Sequence, residues 1–154
     1  MTQEFSDKEI AKIMNDDSFK FPLNVAMASA WILGNLKGIN LKVMDVSKVS
    51  SMSDYFVLAT ATNTTQAKSM ASSIVEKLKK HKIRNYSLEG ADEANWILID
   101  FGDVIVHVFT ESFRGSYDLD GLWKEATMVQ VPNSYYYSIE SDQETESDST
   151  SNYF

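Results

Sequence analysis

Two runs, WILIDF at residues 96–101 and VIVHVF at residues 104–109, stand on either side of Gly102-Asp103. Both runs are rich in β-branched and aromatic residues, and a two-residue gap with glycine first predicts a hairpin closed by a type II′ turn. A turn that short leaves one register. Phe101 faces Val104, Asp100 faces Ile105, Leu98 faces His107 and Trp96 faces Phe109. Because side chains alternate along a strand, the ribbon has two unlike faces. Ile97, Ile99, Phe101, Val104, Val106 and Val108 make a wholly apolar face that has to lie on a core. Trp96, Leu98, Asp100, Ile105, His107 and Phe109 make the other, which is aromatic and titratable.

The rest of the chain supplies elements to pack on that ribbon. Residues 23–37 carry a broad apolar helical face, with Pro22 suited to the first turn and Gly38 to the stop. Residues 40–46 alternate as a strand, with Leu41 and Val43 on one side and Met44 and Val46 on the other. Residues 54–60 are apolar at nearly every position, the pattern of a strand covered on both faces. From Thr64 to His81, Ala67, Met70, Ala71, Ile74, Val75 and Leu78 fall on one 3.6-residue stripe. Asn63 with Gln66 three residues on forms a capping box. A weaker strand is expected at 83–88, and a last helix near 118–126 with Leu119, Leu122, Trp123 and Ala126 as its stripe.

Residues 1–21 lack a sustained period, although Ile10, Ile13 and Met14 suit one amphipathic turn. Beyond residue 127 polar and acidic residues dominate, apart from Tyr135, Tyr136, Tyr137, Tyr153 and Phe154. The expected organisation is therefore an extension at 1–21, one domain at 22–127, and an acidic tail at 128–154 that is predicted to be disordered.

Charge limits the partners. The net charge is −8, yet residues 23–127 hold eleven bases against twelve acids, and 128–154 hold five acids and no base. A nearly neutral core carries no footprint for a phosphate backbone, so docking on a basic protein is expected rather than sequence-specific binding to RNA. Lys77, Lys79, Lys80, Lys82 and Arg84 cluster at the end of one helix, where they complement its dipole or form a phosphate patch. With no cysteine, thiolate metal sites and cysteine nucleophiles are excluded. No apolar run reaches membrane-spanning length, and the N-terminal residues are too acidic for an organellar leader, so a cytoplasmic location is expected.

Three readings of the aromatic, titratable face stay open. Asp100 and His107 sit diagonally across the ladder and invite a metal or acid–base site, although a third ligand at matching spacing is missing. Trp96 with polar neighbours is the usual chemistry of a protein interface. A helix lying over the face, with His107 as a hydrogen-bonded core residue, is the third. Asp45 with Ser47, and Ser53 with Asp54, are explained by turns. The chain has no phosphate-binding glycine loop, serine elbow or zinc spacing, so no catalytic residue, metal or cofactor is expected.

The stretch VMDVSKVSSMSDYFVLATATNTTQAKSMA, Glu89-Gly90, WILIDFGDVIVHVF and RGSYDLDGLWKEA, in order over residues 23–126, resembles the ribosomal silencing factors, also called the Iojap family. The resemblance implies a mixed five-stranded sheet flanked by helices, an α/β fold like the nucleotidyltransferases but without their catalytic motif. It further implies binding to the large ribosomal subunit through ribosomal protein fourteen at the intersubunit face, a block on subunit joining, and homodimerisation. Organellar relatives imply large-subunit assembly instead. Where the family has Gly and Arg before the long helix, this chain has Ala61 and Thr65.

The expected mechanism is steric occlusion. Trp96 would be the anchor, Asp100 and Tyr117 its polar partners, and Arg114 an orienting or interface residue. The competing class is a degenerate nucleotidyltransferase or metal-dependent hydrolase using Asp45, Asp54, Asp100 and His107.

Overall fold

The computed structural model describes residues 2–116 and 124–137. Helices α1 (Gln3–Met14) and α2 (Leu23–Asn35) precede strands β1 (Ile39–Asp45) and β2 (Tyr55–Ala61). Helix α3 (Thr64–Lys80) leads to β3 (Ser87–Glu89), β4 (Trp96–Asp100) and β5 (Val104–Thr110). A short α4 (Glu111–Ser116), a strand β6 (Thr127–Val129) and a 3₁₀ turn (Asn133–Tyr135) complete the order. The strands form one open mixed sheet, β3-β4-β5-β2-β1-β6. β2 and β5 run parallel at its centre, and every other pair is antiparallel.

Local chemistry fixes the helix ends. Asn63 Oδ1 accepts from the Gln66 amide at 2.8 Å, and Gln66 Oε1 reaches back to the Thr62 amide at 2.7 Å. This is a capping box displaced by one residue, and Gln66 Nε2 also donates to Leu36 O, tying α3 to the end of α2. Helix α2 ends in a Schellman turn: Gly38 N donates to Leu33 O and Lys37 N to Gly34 O. The left-handed residue is Lys37, at φ +68°. Gly38 is needed for another reason, since a Cβ there would lie 2.6 Å from Leu33 O.

The hairpin has the register its turn dictates, with Trp96 opposite Phe109, Leu98 opposite His107 and Asp100 opposite Ile105. Of the two turn residues only Gly102 has a positive φ, +87°, as a glycine-first turn requires. The aliphatic face of the ribbon packs with Val43, Val57, Ala59 and the buried sides of α2 and α3 in the main core. A second, smaller core lies on the opposite sheet face, built from Met44, Val46, Phe56, Leu58, Ile105 and Phe109.

Three expectations are corrected. The sheet has six strands, because β6 pairs Val129 with Val43 and Met128 with Met44 inside the stretch assigned to the tail. That stretch stays on the body as far as Tyr137. Tyr135 is buried, Tyr137 N donates to Gly34 O at 2.9 Å, and Tyr136 Oη accepts from Leu41 N. The N-terminal extension is likewise more than one turn. Thr2 Oγ1 caps α1 by accepting from Phe5 N, and Ile10 and Ile13 enter the main core. The helix expected over 118–126 falls largely outside the described residues, as does Tyr117.

Candidate protein-docking face

The aromatic face of the hairpin is a connected set of rings. Trp96 stacks on Phe109 with centroids 5.4 Å apart and meets Phe113 of α4 at 5.8 Å. His107 lies parallel to Phe109 and edge-on to Phe56 at 5.0 Å. The sheet register produces this clustering, since Phe109 of the parallel strand β5 stands beside Thr60 of β2 and opposite Trp96 of β4. Phe109 and His107 are buried, whereas Trp96 and Leu98 are half-buried at the edge of the cluster.

His107 is held in one chemical state. Its Nδ1 accepts the indole N–H of Trp96 at 3.1 Å, so the neutral ring carries its proton on Nε2. Nε2 is buried and has no hydrogen-bond partner among the described residues. Burial first, then the positive charge of Arg114, push the imidazole down to about 4. A ring that is neutral at physiological pH, with its lone pair already engaged, is poorly placed for proton transfer or metal ligation. Among the described residues no group of three or more His, Asp or Glu could hold a metal ion.

Asp100 and Trp96 share a face but lie four residues apart along β4, about 13 Å by strand geometry. The Asp100 carboxylate is occupied locally, accepting the Gly102 amide at 2.7 Å, which makes it a brace for the turn. Arg114 orients α4. Its Nη1 donates to Thr60 Oγ1 at 3.0 Å, its Nη2 reaches Asn40 O at 3.4 Å, and its guanidinium lies 5.7 Å from the Phe109 ring centre. Asn40 offers that carbonyl from an irregularity between Ile39 and Lys42, where its φ is +52°. Of the four residues expected at a partner surface, Trp96 and Arg114 therefore border one aromatic cluster, and Asp100 stands apart at the turn.

The competing carboxylates do not join them. Asp45 Oδ1 accepts from both the Ser47 side chain and the Ser47 amide, and those bonds hold its carboxyl below the ordinary aspartate range. Ser53 Oγ donates to Asp103 O, tying the β1–β2 connection to the hairpin turn.

One feature escaped the sequence reading. The loop at residues 90–95 forms a lip beside Trp96. Gly90 takes φ +82°, and a Cβ there would meet Trp96 O at 2.2 Å. Ala94 is buried at φ +61° and donates its amide to Gly90 O, and Thr110 N donates to Asn95 O. Glycine directly after a strand and shortly before a tryptophan was the only available signal.

A small mixed-sheet α/β protein with this face belongs to a recognisable structural class. The fold matches a crystal structure of a protein from Chromobacterium violaceum at a TM-score of 0.63 and 31% identity, covering 71% of this chain and 88% of that one. The family described as ribosomal silencing factor during starvation matches residues 22–153, and the chain belongs to that family. A ribosomal silencing factor of Bacillus subtilis is 33% identical over 92 residues, 60% of this chain and 78% of that protein. A mouse protein named for mitochondrial assembly of the ribosomal large subunit is 31% identical over 84 residues, 53% of this chain and 37% of its own length. The family is defined by ribosomal silencing rather than by a catalysed reaction.

Proposed function

We propose that this chain is a non-catalytic translational repressor of the cytoplasm that docks on the large ribosomal subunit through the aromatic face of β4, β5 and α4. The observation that carries the reading is the position of Trp96, half-buried beside the half-buried Phe113 at the edge of a face whose Phe56, His107 and Phe109 rings are covered. A large ring held in one orientation on a rigid strand can be buried by a partner at little entropic cost, which is hot-spot chemistry. The partner is a basic ribosomal protein, the fourteenth of the large subunit by family resemblance, which suits a chain of net charge −8. Bound at the intersubunit face, the molecule blocks subunit joining by its bulk.

The test is cosedimentation with purified large subunits. Wild type is expected to travel with them and Trp96→Ala to stay at the top of the gradient with its circular dichroism unchanged. Equal sedimentation of the two proteins rejects this face. The name of the mouse relative favours a second reading, an assembly factor that binds the same partner on immature particles. Cosedimentation with precursor particles in preference to mature subunits would select it.

A further inference from the structure

We propose that the depression between the 90–95 loop, Trp96 and Phe113 is a receptor for a positively charged side chain, arginine in preference to lysine, projecting from the basic protein on which the chain docks. The proposal rests on the docking reading above and names the chemistry of its contact. The depression has a volume of about 440 Å³ and is lined by Gly90, Asp92, Glu93, Asn95, Trp96 and Phe113. Its wall is aromatic and its lip carries two exposed carboxylates, with no cation among the lining residues.

The combination is selective. A guanidinium lays its plane on an indole while its N–H groups reach carboxylates, whereas an ammonium gains the charge but not the stacking. An apolar occupant would strip water from Asp92 and Glu93 without replacing its hydrogen bonds. A phosphate would meet two like charges. Neither carboxylate has an ion pair within the chain among the described residues. Arg114, the cation that α4 contributes, is drawn away to Thr60 and Asn40.

The lip is also preorganised. The left-handed residues Gly90 and Ala94, closed by the Ala94-to-Gly90 and Thr110-to-Asn95 backbone bonds, fix the loop that presents both carboxylates. Little ordering is left for the partner to impose.

Two measurements test the receptor. The first is cosedimentation of the doubly neutralised variant Asp92→Asn/Glu93→Gln with large subunits over a salt series. Binding about tenfold weaker than wild type at low salt is expected, with the gap closing as salt rises. Unchanged binding by this variant, with Trp96→Ala still defective, overturns the receptor and leaves the docking reading standing. The second follows the Trp96 side-chain N–H resonance of the free protein while short peptides containing arginine, lysine or citrulline are added. The resonance is expected to move most with arginine, less with lysine and not with citrulline. Equal movement with citrulline, or none with arginine, overturns the receptor independently of any ribosome.

Discussion

The indole N–H of Trp96 donates to Nδ1 of His107 diagonally across the β4–β5 ribbon, at 3.1 Å. One bond thus sets both the plane of a half-exposed indole and the tautomer of a buried imidazole. Surface and core are coupled through it, and the coupling can be separated by substitution.

Replacing Trp96 with phenylalanine keeps a ring over Phe109 but removes the donor, leaving His107 Nδ1 buried and unpaired. A loss of about 1–3 kcal/mol in urea unfolding is expected, with large-subunit binding weakened less than in Trp96→Ala. A Phe variant as stable as wild type would show that the bond contributes nothing net.

Acid should loosen the fold through His107. The unfolded chain takes up a proton near the ordinary histidine value of 6.5, whereas the folded ring resists until about 4. The contribution is therefore complete above pH 6.5, declines as pH falls towards 4, and totals about 3 kcal/mol at most. Urea unfolding of wild type and His107→Gln at pH 7.5 and 4.5 isolates it from the carboxylates, and the variant should show the smaller drop.

Arg114→Lys retains the charge but loses the fork that reaches Thr60 and Asn40 together. A destabilisation of about 1–2 kcal/mol is expected, with faster amide exchange in α4 and normal exchange in α3. Exchange in α4 identical to wild type would remove the orienting role.

Gly90→Ala places a methyl against Trp96 O in a left-handed backbone. The expected cost is about 1–3 kcal/mol, and weakened subunit binding should accompany it because the Asp92–Glu93 lip must move. Retained stability would mean the loop relaxes freely.

Ile10 is fully buried although it belongs to the first helix of a segment without clear periodicity. Ile10→Ala should cost about 2–5 kcal/mol in chemical denaturation. A neutral result would detach α1 from the core.

What the sequence reveals divides by range. The hairpin, its register and its two faces are legible because a two-residue turn leaves no freedom, and the α3 stripe is legible because 17 residues repeat the period. Strand β6 is not. It has three residues, Met128 is half exposed, and the strand it pairs with, β1, lies more than eighty positions earlier, so nothing local marks it. Helix α1 hides for a related reason, since its buried side is only Ser6, Ile10 and Ile13 and its partner is another helix. At the site, Trp96 stands out by residue type. Asp100 is legible only as one of two roles, because an Asp two residues before the amide of a glycine is as much a turn brace as a partner contact.

The close seat of Tyr135 on Gly34, where even a methyl would sit 2.1 Å from the Tyr135 carbonyl oxygen, makes the stretch after the hairpin a latch on the second helix. Trimming the protein at residue 127 would strip the outer rung from the sheet and bare the end of α2. Shortened versions should aggregate for reasons unrelated to ribosomes.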